Sequence, residues 1–194
     1  QIDGVVVACV GAWIPTLEAE LKHWGLKKVL AIVPGGETGQ DSIFNALSKL
    51  KEFCSEVDVV LIHDGVRPMI EANTISANIE AVLKYGSCVT CSPAVETIIN
   101  KKDEKKIEVY QRDSSYYARA PQSFVFREIF KAHNQARLEN KHDFIDSCSL
   151  MSHYGHNFAT VIGPVENIKI TTPLDFFIFK TMLDTKENSQ IFGF

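Results

Sequence analysis

No apolar run in this sequence reaches the roughly 20 residues that a helix needs to span a bilayer. The N-terminus carries neither a basic n-region nor a small-residue cleavage site, so the chain reads as cytoplasmic. It has no internal repeat and no low-complexity segment, which leaves a single folded unit as the expectation. Cysteine is sparse and odd in number: Cys9, Cys54, Cys88, Cys91 and Cys148 are scattered, and three of them lie in strand-like apolar sequence. That usage suits buried thiols in a reducing compartment, and disulfides are not expected. Cys88 and Cys91 form a lone CxxC, but positions i and i+3 of a strand point to opposite faces, which argues against a zinc or redox pair. His153 and His156 flank Tyr154-Gly155 with no acidic or cysteine partner at ligand spacing. An excess of positive charge is missing too. The net charge of −4 gives no long-range attraction for nucleic acid. The one basic cluster, Lys101 to Lys106, interleaves Asp103 and Glu104 and reads as a hairpin tip.

What is present is ample apolar content, 45% of the 194 residues with a mean hydropathy of −0.02. That suits one domain, 1–194, with a continuous core. Strand-like and helix-like stretches alternate as in a parallel sheet with crossover helices. Strands are expected at Asp3 to Val10, Lys28 to Val33, Val57 to Ile62, Ser87 to Pro93 and Phe158 to Ile162. Helices are expected at Ile14 to Trp24, Asp41 to Phe53 with Asp41 or Ser42 as cap, Ala72 to Tyr85 ended by Gly86, Phe126 to Arg137, Phe144 to Tyr154 and Pro173 to Leu183. The middle differs. Val95 to Asn100 and Lys106 to Arg112 read as two strands of a ribbon leaving the sheet, a β-arm at about 95–118. The simplest cover for such a ribbon is the ribbon of a second copy, so a C2 homodimer is expected.

The chemistry gathers at turns. Ile62-His63-Asp64-Gly65-Val66-Arg67-Pro68 places a carboxylate, a guanidinium and a proline at the end of an apolar strand. Ligands of open α/β sheets bind outside the carboxyl ends of strands, so a metal-binding acid beside an anion-binding Arg suggests phosphate chemistry on a magnesium-bound substrate. A plain turn, with Asp64 capping and Arg67 paired to it, is the alternative. Gly35-Gly36-Glu37-Thr38-Gly39-Gln40-Asp41-Ser42 is a glycine-rich turn opening a helix, able to receive an anion or the polar edge of a base, or serving structure alone. Lys169 alternates with Ile168 and Ile170 in otherwise buried sequence and needs an anion there, unless its stem runs out past an edge strand. Arg112 stands at the ribbon base, where it can also pair with Asp113, and Ala120 to Phe124 reads as a turn.

The order of these motifs, Gly-Gly-(x)5-Ser, His-Asp-x-x-Arg-Pro, Pro-x-x-x-Thr, Arg, Pro-Gln-x-Phe and Asn-Ile-Lys-x-Thr-x-Pro, closely resembles the IspD family of cytidylyltransferases. Its members include the 2-C-methyl-D-erythritol 4-phosphate and ribitol 5-phosphate enzymes. The resemblance runs from Ile2 to about Leu183. It implies an α/β, three-layer Rossmann-like nucleotidyltransferase fold, a mostly parallel sheet with a projecting β-arm, and Mg²⁺ as cofactor. The substrates it implies are CTP and a polyol phosphate. Carried over residue by residue, it implies that Gly35, Gly36, Ser42 and Gly65 face the nucleotide. Asp64 would lie beside magnesium and the reacting phosphates. Arg67 and Thr97 would face the polyol phosphate, Arg112 would cross the dimer, and Lys169 would hold phosphate. The reaction it implies is attack of the acceptor's phosphate oxygen on the α-phosphorus of CTP, a task of positioning and charge neutralisation. His63 would then be a packing residue.

The sequence departs from the family at several points. The family opens with a strand and a glycine-rich phosphate loop upstream of Ile2, and the expectation is that this chain lacks part of its natural N-terminus. Gly39 replaces an Arg, Gly65-Val66 replaces Ala-Ala or Ala-Val, and Ala120 replaces a Thr. Ile145 stands in the acceptor pocket where a Thr precedes the residue at Asp146. Two lost hydroxyls in an acceptor pocket would each remove a hydrogen bond of about 1 kcal/mol, which points away from methylerythritol phosphate while leaving 2-C-methyl-D-erythritol 4-phosphate and ribitol 5-phosphate both as candidate acceptors. His-Asp-Gly-Val-Arg-Pro leans toward the ribitol branch. The alternative from another class is an inactive nucleotide-binding or scaffolding homologue.

Overall fold

β-Branched runs and amphipathic segments alternate along the chain and fold as β1 (Val5–Cys9), α1 (Ile14–His23), β2 (Val29–Pro34), α2 (Gly39–Leu50) and β3 (Val59–Ile62). There follow α3 (Ala72–Tyr85), β4 (Ser87–Pro93), β5 (Ile99–Lys101), β6 (Ile107–Val109), β7 (Tyr116–Val125) and α4 (Phe126–Leu138). The chain ends with α5 (Ser147–His153), β8 (Ala159–Ile162) and α6 (Pro173–Phe192). This computed structural model describes residues 1–192, with side chains through 188. Residues 193–194 of the expected single domain lie outside the described residues. No helix among the described residues is long and apolar enough to cross a membrane.

The α/β class stands, but the sheet is mixed rather than mostly parallel. β1 pairs in parallel with β2, and β4 with β8. β7 runs antiparallel between β3 and β4, giving the order β3-β7-β4-β8. This central strand contains the Ala120 to Phe124 segment that reads as a turn from sequence. Pro121 is the source of that misreading, since proline is normally excluded from central strands. Here it sits in a register shift. Val89 faces Gln122 and Cys91 faces Ala118, so Thr90 alone stands opposite Arg119, Ala120 and Pro121. β3 ends opposite Gln122, so no ladder bond from that side meets the proline either.

The main core is formed by α2, β3, β7, α4 and α5, through Leu47, Val60, Phe124, Phe126, Ile129, Leu150 and Met151. A smaller cluster of Val82, Cys88 and Val161 joins α3 to β4 and β8. None of residues 1–39 is buried; the first inward side chains are Gln40 and Leu47 of α2, which packs on β1 and β2 and also against α4. α2 is therefore the element that ties β1 and β2 to the core. All five cysteines are free.

Several element boundaries differ from the sequence reading, each for a local reason. The ribbon strands are shorter, although the Tyr110 amide donates to the Ile98 carbonyl at 2.9 Å and extends their pairing. The helix expected from Phe144 begins only at Ser147, because the amide of Phe144 donates to Gln40 Oε1 (3.1 Å) and Asp146 caps α5 by accepting from Ser149 N (2.8 Å). α2 ends at Leu50 rather than Phe53, and α6 continues past Leu183 to Phe192.

Candidate active site

The glycine turn is built around its own hydroxyls. Thr38, rather than Asp41 or Ser42, caps α2: its Oγ1 accepts from the Asp41 amide at 3.0 Å. The Gly36 amide donates to Ser42 Oγ at 3.0 Å, and Ser42 Oγ donates to the Thr38 carbonyl at 2.9 Å. The serine proton is thus committed to the turn. A side chain at position 36 would place its Cβ 2.3 Å from Asp41 Cβ, so only glycine lets the loop close this tightly. Gly35 sits at the end of β2, its amide donating to the Cys9 carbonyl at 2.8 Å. Asp41 also takes Arg137 Nη1 at 3.1 Å and His142 Nδ1 at 3.2 Å. The Thr38 hydroxyl, then the His142 and Arg137 contacts, hold its carboxyl below the usual range against the opposing effect of burial.

At the end of β3 the chain turns sharply, with the Arg67 amide donating to the Asp64 carbonyl at 3.0 Å. Arg67 Nε donates to Asp64 Oδ2 at 2.8 Å, and Lys169 Nζ sits 3.0 Å from Oδ1, so each carboxylate oxygen holds a different cation. Burial is the largest single influence on Asp64 and pushes its pKa up. Arg67 and Lys169 together outweigh it, and the carboxyl ends below its ordinary value. Arg67 Nη1 donates to the Asn167 carbonyl at 2.9 Å, and the buried Asn167 amide donates to the Ala120 carbonyl at 3.2 Å. The Ile170 amide donates to the Val66 carbonyl at 2.9 Å. These bonds fasten the Asn167–Ile170 loop to the Asp64 turn, which is how residues far apart in sequence meet. His63 is more than packing: its Nε2 lies 3.0 Å from the Arg67 carbonyl, so the ring closes the turn as a donor.

The cluster opens into a cavity of about 330 Å³, within the range that holds a small ligand. Asp64, Arg67 and Lys169 line it, with Gly39 and Gln40 from α2, Ala118, Arg119, Ala120 and Gln122 from β7, and Ile145 and Asp146. Two buried amides hold the Lys141–Cys148 segment against it. Gln40 donates to the Lys141 carbonyl (2.8 Å), while Gln122 donates to Asp146 Oδ2 and accepts from the Cys148 amide, both at 2.8 Å. Gly36 faces a second recess with Thr38, Asp41, Arg137 and His142.

Of the residues singled out by sequence, Asp64, Arg67, Lys169 and Ile145 come together around the main cavity. Gly35, Gly36 and Ser42 form the adjoining turn, and Gly65 lies exposed in the Asp64 turn outside the cavity lining. Thr97 and Arg112 are exposed near the arm, also outside that lining, with Arg112 4.0 Å from Asp113. Sequence reasoning missed Arg119. The Ala120-Pro121 pair reads as a turn, which hides the fact that an arginine stands inside a central strand.

Among solved structures, a 4-diphosphocytidyl-2C-methyl-D-erythritol synthase from Anaerococcus prevotii matches with a TM-score of 0.82 at 23% identity, over 94% of this chain and 82% of that one. That likeness bears on the fold. A 2-C-methyl-D-erythritol 4-phosphate cytidylyltransferase from Thermus thermophilus matches at 27% identity and a TM-score of 0.68, over 80% and 74% of the two chains. A ribitol-5-phosphate cytidylyltransferase from Vibrio parahaemolyticus is 51% identical over the whole of this chain and 82% of its own length. A 2-C-methyl-D-erythritol 4-phosphate cytidylyltransferase from Clostridium tetani is 38% identical over 90% of this chain and 70% of its own. The family model for IspD, 2-C-methyl-D-erythritol 4-phosphate cytidylyltransferase, matches residues 1–185, and with the Asp64 cluster assembled in that fold the chain belongs to the IspD family of cytidylyltransferases.

Proposed function

We propose that the protein transfers CMP from CTP to ribitol 5-phosphate, giving CDP-ribitol and pyrophosphate. The observation that carries the chemistry is Asp64 bracketed by Arg67 at 2.8 Å and Lys169 at 3.0 Å at the mouth of a cavity. The choice of acceptor rests on relatives named for ribitol 5-phosphate at 51% and 46% identity, above the 38% of one named for methylerythritol phosphate. It also rests on Ala120 and Ile145, which offer no hydroxyl to the cavity they line. CTP lies with its base at the Gly35-Gly36 turn and its phosphates toward Asp64, and the acceptor lies on the Arg67 side. An oxygen of the acceptor's phosphate forms a bond to the α-phosphorus of CTP. The bond from that phosphorus to the bridging oxygen breaks, and pyrophosphate leaves with the electron pair. No proton has to move, so Arg67 and Lys169 serve by neutralising and orienting the phosphates.

The donor set also fits magnesium. Among the described residues no group of three His, Cys, Asp or Glu forms a protein cage for a metal. A single half-buried carboxylate is what Mg²⁺ uses when it arrives on a triphosphate and keeps its waters. Asp64 would hold it, and the ion would neutralise charge on the phosphates. Arg67 keeps Asp64 ionised and in place, and Lys169 exchanges its hold on Asp64 for a phosphate oxygen.

A homodimer completes the reading. Ile99, Ile107 and Val109 of the arm are all more than half exposed, and among the described residues the Arg112 guanidinium at its base pairs only with Asp113, at 4.0 Å. A second copy covering the arm would bury the apolar side chains and carry Arg112 to the neighbouring cavity. The convergence of three charged groups on one cleft gives an inactive scaffold no support. Pyrophosphate release with CTP and Mg²⁺, measured with each acceptor separately and with UTP and ATP as controls, tests the proposal. Release with CTP and ribitol 5-phosphate is expected, and silence with that pair in a folded, CTP-binding protein would reject it.

A further inference from the structure

Among the described residues, Arg119 has no acidic partner. It stands in the part of β7 where Thr90 alone faces three residues, a bulge of the kind that re-aims a side chain beside a functional site. Its Nε donates to Ser92 Oγ at 2.8 Å, and that serine is fully buried. Both terminal nitrogens are left without a partner among the described residues, and no carboxylate comes within ion-pair distance. Yet the side chain is half-buried, lines the same cavity as Asp64, Arg67 and Lys169, and is close enough to Arg67 for the two guanidiniums to repel. Burial and that repulsion both weaken its hold on its proton.

Charge makes the point sharper. Arg67, Arg119 and Lys169 face Asp64 and Asp146 around the cavity, and Asp146 is already committed to Gln122 and to capping α5. Two guanidiniums lining one half-buried cavity, with a single uncommitted carboxylate between them, favour an anion there. The position on β7 selects which anion. β7 comes from the arm, passes Ser92 at Tyr117 and reaches the end of β3 at Gln122, so Arg119 lies on the arm side of the Asp64 cluster. The glycine turn lies at the end of β2, in the separate two-stranded β1-β2 sheet.

We propose that Arg119 binds the phosphate monoester of the acceptor, presenting its two free terminal nitrogens as a fork while Ser92 fixes the guanidinium from behind. A doubly charged monoester is the anion that a planar fork beside a second arginine recognises best. This inference rests on the reaction proposed above and assigns the residue that selects its acceptor.

The test separates the two. Arg119→Ala and Arg119→Lys are assayed with CTP, Mg²⁺ and ribitol 5-phosphate, and acceptor binding is measured directly by calorimetry on the same proteins. Arg119→Ala is expected to raise the acceptor's KM and Kd roughly 10- to 100-fold, the scale of a lost charge-assisted pair, while the KM for CTP stays within about twofold. Arg119→Lys should recover part of the loss, because it restores the charge without the fork. An unchanged acceptor KM and Kd, or equal losses for CTP and acceptor, would overturn the assignment. If the wild type binds ribitol 5-phosphate without turning it over, and Arg119→Ala loses that binding, the reaction fails and Arg119 stands. A wild type that binds no acceptor overturns both.

Discussion

Lys169 reaches across from a separate loop to Asp64, its ammonium 3.0 Å from the one carboxylate oxygen that Arg67 does not occupy. The pair is held by backbone, since the Val66 carbonyl and Ile170 amide lock the two loops together at 2.9 Å. Substituting Asp64→Asn keeps the shape of the acceptor that Arg67 uses and removes the charge. Turnover is expected to fall about 100-fold or more with the fold retained, and Lys169→Ala should do the same. Steady-state pyrophosphate release with thermal melting on each variant checks both halves. Because Asp64 has its pKa lowered in the folded state, its pairing supports stability above the unfolded pKa near 3.8 and withdraws it as pH falls through the lower folded value.

His133 gives a larger and cleaner pH effect. It is 1% exposed, neither ring nitrogen has a partner among the described residues, and it lies against the Phe44 ring, so burial pushes its pKa from 6.5 down to about 4. A depressed pKa means that the folded protein resists a proton the unfolded chain accepts. Stability is therefore full above pH 6.5 and declines as pH falls toward 4, by about 3 kcal/mol over that window. Urea unfolding at several pH values should show this slope, and His133→Leu should flatten it.

Asn78 anchors the polar centre of the fold. Its Nδ2 donates to the Thr74 carbonyl and Thr90 Oγ1, both at 2.9 Å, and its Oδ1 accepts from Ser123 Oγ at 2.8 Å and Cys88 Sγ at 3.2 Å. All four capacities of the amide are used, with no exposed surface. Asn78→Leu would strand the Thr90 and Ser123 hydroxyls in the core, and the unfolding free energy read from urea denaturation is expected to fall by about 3 kcal/mol.

The arm offers a test that needs no structure of the complex. If Arg112 is supplied by the partner, an Arg112→Ala chain and an Asp64→Asn chain, each nearly inactive alone, should complement when mixed and re-equilibrated. Half the dimers would be mixed, each with one intact site, so about a quarter of wild-type activity should return. Val109→Lys, which places charge in the exposed apolar face, should yield monomers by sedimentation and remove that recovery.

Much of this was legible in the sequence because the signals were local. The Val57 to Ile62 run, the Asp64 turn and the Gly86 stop of α3 each state their structure in a few residues, and β3, the turn and α3 follow them. β7 was not legible. Its Ala-Pro pair mimics a turn, and only the register with β3 and β4 shows that the proline falls where no ladder bond is needed. Arg119 was lost with it. The late start of α5 was hidden for a related reason, since the Gln40 and Gln122 side chains that hold 144–148 are distant in sequence.

Central to the account is the acceptor. Equal concentrations of ribitol 5-phosphate and methylerythritol 4-phosphate, offered together with CTP and Mg²⁺, yield two products that mass spectrometry distinguishes. CDP-ribitol in large excess is the expected outcome; a mixture dominated by the methylerythritol product would contradict the assignment of ribitol 5-phosphate as acceptor.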